Sequence, residues 1–219
     1  MKPKKKLGLF EVVMSLLLAS IGSHAFGQAR EPVLSLAKKE KAGLLETLKT
    51  LVSIESGSRD NEGLAKLAGV IAGRLKELGG QVELVEPSDI YKMEDTPEKI
   101  GKMVRASFMG NGTRKVLLIA HMDTVYPRGM LGQQPFRIEG DRAYGLGIAD
   151  DKQGIAVIIH TLAILKAMNF REYGTLTVLI NADEELSSPG SRSLLTNSAR
   201  STMQLSRSNP RAPNPTNCP

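Results

Sequence analysis

Residues 115–123 read Lys-Val-Leu-Leu-Ile-Ala-His-Met-Asp, and residues 175–185 read Thr-Leu-Thr-Val-Leu-Ile-Asn-Ala-Asp-Glu-Glu. Each opens as a short, nearly continuous apolar run, the pattern of a strand buried on both faces. Each then passes directly into ionisable residues. Between them lies Ile155–Met168, strongly apolar and long enough for a helix. Strand, helix and strand in that order predict an α/β domain in layers, with a sheet covered by helices.

The flanking sequence extends the pattern. Lys38–Ser53 places Leu44, Leu45, Leu48, Leu51 and Val52 at helical spacing. Leu64, Leu67, Ala68, Ile71, Leu75 and Leu78 form a second helical stripe, stopped by Gly79-Gly80. Gln81–Val85 and Met103–Phe108 are strand candidates, and Phe136–Tyr144 suggests a short strand pair around Glu139-Gly140-Asp141. A further helix is expected to begin within Pro189–Leu195. His160 falls on the apolar helix, away from any strand end, and reads as a core or helix-flank residue.

The termini differ from this middle. Residues 1–29 combine a Lys-rich start, an apolar stretch from Val12 to Ile21 and small residues at Ser23, Ala25, Gly27 and Ala29. That is the layout of a signal peptide. The apolar run is short for a membrane span, so no stable membrane anchor is expected and the mature protein should be periplasmic or secreted. Cleavage after Ala29 would lower the net charge from +6 to +3, leaving 25 basic against 22 acidic residues. Half of the excess charge is therefore a targeting device. With aromatics at 4% and no Trp, a nucleic-acid partner is not expected. A single Cys excludes an internal disulfide and a thiolate zinc finger. At the other end, residues 199–219 are expected to be a disordered tail, since Pro210, Pro213, Pro215 and Pro219 crowd a stretch without apolar periodicity.

Three ionisable clusters share one placement. His121-Met122-Asp123 follows the first buried run, Asp150-Asp151 follows Gly145-Leu146-Gly147-Ile148-Ala149, and Asp183-Glu184-Glu185 follows the second buried run. Ligands of open α/β sheets bind beyond the carboxyl ends of strands. Each cluster has an ordinary alternative: a surface His-x-Asp pair, a helix N-cap, a solvated acidic loop. Together they point to a cation, because converging carboxylates repel one another unless a positive charge neutralises them. One imidazole with several carboxylates suits zinc or a similar divalent ion. Gly145-x-Gly147 is no dinucleotide fingerprint, because Asp150 stands where a third Gly is required.

These motifs resemble those of the co-catalytic zinc metallopeptidases, the family that includes glutamate carboxypeptidase, aminoacylase, carnosinase and succinyl-diaminopimelate desuccinylase. The resemblance runs through residues 117–125, 143–152, 181–185 and 190–192 and is nearest to the glutamate carboxypeptidase branch. It implies a three-layer zinc-exopeptidase sheet and hydrolysis of an amide bond beside a free carboxylate. The substrate would be a small peptide or acyl-amino acid, with C-terminal glutamate as one form. It further implies that His121, Asp150 and Glu185 are zinc ligands, with Asp150 bridging two Zn2+ ions across a cis Asp150–Asp151 peptide. Asp123 would orient His121, and Glu184 would act as general base.

The chain also departs from that family. Members are longer, insert a dimerisation domain, and carry a further carboxylate ligand after the Glu-Glu pair and a His ligand near the C-terminus. Here no His follows His160 and no acidic residue follows Glu185. On this reading residues 30–198 are the N-terminal part of the catalytic domain, with its C-terminal part and the dimerisation domain missing, and the chain alone is expected to be inactive. Codons for Ser201–Arg211 can be chosen so that another frame reads Phe-Glu-Pro-Thr, the segment that carries the missing carboxylate in the family. A frameshift after about Arg200 would therefore account for the tail. The alternative is a non-catalytic exported pseudoenzyme or metal-binding module.

Overall fold

The computed structural model describes residues 31–208, with side chains through residue 202. The expected signal peptide, residues 1–29, lies outside the described residues, as does the chain beyond Ser208. Two units are distinguished: residues up to Lys38, whose described part is the start of the first helix, and residues from Lys39 on, which carry the sheet and the site. Among the described residues, no helix is long and apolar enough to cross a membrane.

The elements alternate as the sequence suggests. Helices α1 (Val33–Val52) and α2 (Asn61–Glu77) precede strands β1 (Gln81–Val85), β2 (Met103–Met109) and β3 (Lys115–His121). A hairpin of β4 (Arg137–Glu139) and β5 (Arg142–Tyr144) follows, then a π-type turn at Ile148–Lys152 and helix α3 (Gln153–Ala167). Strand β6 (Thr175–Asn181), a 3-10 turn at Glu184–Leu186 and helix α4 (Arg192–Ser208) complete the order. Asp60 caps α2 by accepting the Gly63 N–H at 3.0 Å. Gly79, with φ of 99°, ends it in a conformation that costs other residues energy.

The main sheet has the order β1-β2-β6-β3. β1, β2 and β6 are antiparallel neighbours, while β3 runs parallel to β6, from Lys115 opposite Thr175 to His121 opposite Asn181. The sheet is therefore mixed. The parallel pair is joined through α3, as a parallel crossover requires. One hydrophobic cluster unites α1, α2 and α3 with alternate residues of the sheet: Val104, Ala106 and Phe108 on β2, Ala120 on β3, and Leu176, Val178 and Ile180 on β6. His160 lies between helices α1 and α3, bonded to Glu40 at 2.5 Å and Thr47 at 2.9 Å, so it is the helix-flank residue expected.

Two expectations need correction. β6 is buried along nearly its whole length, but β3 is not: Ile119 is 50% exposed. β3 is the outer strand of the four, so its apolar run is covered on one pleat and half open on the other. The tail expected to be disordered from residue 199 is instead helical through Ser208, the last of the described residues. Neither Gly nor Pro interrupts Arg192–Ser208. α4 begins at Arg192, slightly later than the Pro189 start allowed.

Candidate metal centre

The site forms where the parallel strands β3 and β6 end side by side. Past His121 the ladder continues for one step, as Met122 N–H donates to the Asn181 carbonyl at 2.9 Å. On the other side Thr124 pairs with the segment between α1 and α2: its N–H donates to Ser56 O at 2.9 Å, and Ser58 N–H donates back to Thr124 O at 3.1 Å. Asp123 is thus held between two backbone neighbours and is fully buried.

A buried carboxylate is tolerated only when its oxygens are bonded, and Asp123 is saturated. It accepts the Ser58 hydroxyl at 2.8 Å, the Glu184 N–H at 3.1 Å and the Glu185 N–H at 3.1 Å. Its Oδ1 also lies 3.2 Å from Nδ1 of His121. One side chain therefore sets both the imidazole and the backbone of the Glu-Glu pair. Asp123 thus lies against His121, the residue it was expected to orient; its hold on residues 184 and 185 was not foreseen.

The other face of the imidazole meets exposed acids. His121 Nε2 lies 2.8 Å from Asp150 Oδ1 and 3.9 Å from Glu184 Oε2. His121, Asp150 and Glu185 each offer a donor atom within 4.8 Å of the others. The Asp150–Asp151 peptide is cis, as the resemblance implied. Three of the five candidate residues thus form a cation-sized cluster, with Glu184 beside it and Asp123 behind it.

The electrostatics agree with the geometry. Burial alone would lower the His121 pKa, but hydrogen bonds to Asp123 and Asp150 and the charges of Asp123 and Glu184 outweigh it and raise it to about 9. Burial, then the negative charge of Asp150, raises the pKa of Glu185. The excess negative charge that holds a proton on His121 is the same field that would hold a cation. One imidazole nitrogen and two carboxylates fit the donor chemistry of a zinc-type site with an open position.

Three residues of this neighbourhood carried no assigned role in the sequence. Asp183, buried, accepts the N–H groups of Gly190 at 2.6 Å and Ser191 at 3.1 Å, and so folds the turn after the Glu-Glu pair. Ser58 had no local signal; its role depends on Asp123, 65 residues away. Lys152 is only 1% exposed, with Nζ donating to Ile54 O at 2.7 Å. Burial lowers its pKa to about 8. A charged residue directly after two acids reads as a surface residue, and only the fold reveals it inside. Beside the cluster, a cleft of about 630 Å³ opens between residues 57–60, residues 124–128, Glu185 and Leu186.

Comparison with known proteins agrees with this arrangement. Residues 117–212 match peptidase family M20/M25/M40, a match that begins inside β3 and extends past residue 198, the expected end of the catalytic-domain part. Carboxypeptidase G2 of Pseudomonas sp. (strain RS-16) is 42% identical over 186 residues, covering 84% of this chain and 43% of that protein. Human carnosine dipeptidase 1 superposes with a TM-score of 0.62 at 22% identity, over 75% of this chain and 37% of the other. The M20 family metallo-carboxypeptidase Sso-CP2 from Sulfolobus solfataricus gives 0.55 at 21% identity, over 66% and 32%. The chain spans less than half the length of these relatives. Its strand-end cluster, its mixed sheet and its matched sequence agree on one identity: the chain belongs to peptidase family M20/M25/M40.

Proposed function

We infer that this chain carries the nucleophile-generating half of a zinc-dependent metallopeptidase that hydrolyses an amide bond next to a C-terminal carboxylate. The observation that carries this reading is the convergence of His121, Asp150 and Glu185 within 4.8 Å, beside Glu184. The similarity to carboxypeptidase G2 supports the carboxypeptidase direction and a peptide or acyl-amino-acid substrate, with C-terminal glutamate the form to test first. The N-terminal layout supports export.

His121, Asp150 and Glu185 would hold the cation. When bound, zinc supplies Lewis acidity that brings a water near neutral ionisation. Glu184, whose side chain is 54% exposed and lies 3.9 Å from the His121 ring nitrogen, is placed to accept a proton from a water at the cluster and return it to the leaving amine. Asp123 holds Glu184 through its backbone N–H and presents the His121 ring. The cleft between Thr124–Arg128 and Leu186 offers space for the substrate beside Glu185. The two further ligands that the resemblance calls for have no counterpart among these 219 residues, so hydrolysis by the 219-residue chain alone should be negligible.

The test is hydrolysis of a peptide ending in glutamate by the purified chain, with zinc and with chelator. Zinc binding kept in Glu184→Gln is expected, with only trace hydrolysis that chelator and the variant both abolish. Hydrolysis indifferent to both would overturn the reading. Zinc binding with no hydrolysis would favour a non-catalytic metal-binding module.

A further inference from the structure

Asp150 has little of its own to hold it in place. Its side chain is 77% exposed, and His121 is its hydrogen-bond partner. Its position is set by the turn that bears it. That turn begins at Gly147, with φ of 66°, where a Cβ would lie 2.4 Å from Thr124 Cγ2, so the backbone is pressed against Thr124 in a conformation suited to glycine. It closes when Lys152 N–H donates to Gly147 O at 3.0 Å.

The Lys152 side chain then runs inward. Its Nζ donates to the carbonyl of Ile54, on the segment that continues through Ser56 to Ser58, the residues that pair with Thr124 and bond Asp123. A buried ammonium is costly unless bonded, so a lysine at this depth signals a structural demand that an apolar residue would not meet. Around it is a small cavity of about 10 Å³, also lined by Glu55, Ser56 and Thr124. Ser56 Oγ is a buried side-chain oxygen without a protein partner among the described residues. The pocket beneath the site is mostly apolar, with Val52, Leu131 and Leu146 also in its wall, and the Ile54 carbonyl is the acceptor that holds the ammonium there.

We propose that Lys152 is a positioning residue: by tying the Asp150-bearing turn to the Ile54 carbonyl, it holds Asp150 against His121 and in register with Asp123. The link is indirect, since Lys152 touches neither substrate nor cation. It joins the one ligand on an exposed turn to the buried frame that already fixes the others.

Two measurements test this on the full chain, with Lys152→Met and Lys152→Gln, and Leu75→Ala as a core-destabilised control. The first is amide hydrogen exchange without added metal. The Ile148 and Lys152 amides should exchange about tenfold faster in the Lys152 variants, and no faster in the control than its overall loss of stability explains. The second is Zn2+ affinity by chelator competition, with the visible spectrum of the Co2+-loaded protein; it rests on the cation site proposed above. The Lys152 variants should bind about 10–100-fold more weakly with an altered Co2+ spectrum, the range for losing a supporting partner, and the control should match the wild type. Unchanged exchange and affinity in a folded Lys152 variant would overturn the proposal. So would failure of both variants to fold, because Lys152 would then support the whole core and not the turn. If the wild type binds no zinc, the cation reading fails and the exchange result alone decides the role of Lys152.

Discussion

Asp123 and Asp183 are buried and bonded to backbone N–H groups, whereas Asp150 and Glu184 stand exposed around one imidazole. Asp123, Asp183 and Glu184 lie within a few residues of the ends of β3 and β6, and Asp150 lies on the turn that leads into α3. The first pair behaves as structural staples: each carboxylate collects donors from a turn that would otherwise be unanchored. The second pair, with Glu185, is left with charge that the fold does not neutralise. The contrast teaches that an acidic cluster divides by where its partners are. Buried acids bonded to backbone amides shape the site, Asp123 holding the His121 ring as well, and the exposed acids around that ring are left free for a cation.

That division can be broken from either side. The largest loss should follow Asp123→Ala, which strands the Ser58 hydroxyl, two backbone N–H groups and the His121 ring at once. Removing one partner of a buried charged network costs about 3–5 kcal/mol, and urea unfolding should show a loss of that size. Asp183→Ala should come next, at about 2–3 kcal/mol, because the Gly190 and Ser191 amides lose a buried acceptor. A stability change below about 1 kcal/mol in either variant would contradict the staple reading.

On the exposed side the effect should move from stability to binding. Glu185→Gln should weaken zinc binding by more than the ~10–100-fold typical of losing a supporting residue, yet leave the metal-free protein slightly more stable at neutral pH. The sign follows from the raised pKa of Glu185. An acid that binds its proton more tightly in the folded state contributes stability at low pH and loses it as pH rises above its unfolded pKa. Thermal melts of the metal-free variant and wild type at pH 4 and pH 7 would show it: the gain should appear at pH 7 and vanish at pH 4.

The smallest effect should be at Arg128. Its guanidinium bonds Asp60 and, at 3.0 Å, Glu62, and it holds the Asp60 pKa below the usual carboxylate range. A depressed carboxylate pKa stabilises the fold above the unfolded value and loses that contribution as pH falls through the folded one. Arg128→Ala should therefore lower the melting temperature slightly at pH 7 and not at all near pH 2. Arg128 and Glu62 are exposed, so salt should reduce the difference.

Much of this was legible in the sequence, for physical reasons. Period and run length gave α1, α2, α3, β1, β2 and β6, because burial imposes its pattern on consecutive residues. The motifs carried His121 and Glu185 because they follow buried strands, and Asp150 because it follows a Gly-rich turn, so local sequence marks each position. What stayed hidden depends on distant partners. The apolar run of β3 is the same whether or not a strand covers its outer side, so an edge strand read as a central one. Lys152, Ser58 and Asp183 look like surface residues until Ile54, Asp123 and the Gly190 amide are brought to them. The extent of α4 was missed because low apolar periodicity argues against burial, not against helix.

The central claim is that His121, Asp150 and Glu185 form one divalent-cation site on a frame that does not depend on them for its fold. Calorimetric titration of Zn2+ into the wild type and Asp150→Asn, with a thermal melt of each, tests it most directly. The account predicts saturable binding by the wild type, binding lost or severely weakened in the variant, and metal-free melting temperatures that agree closely. Equal zinc affinity in both proteins, or a variant that loses its fold along with its binding, would contradict it.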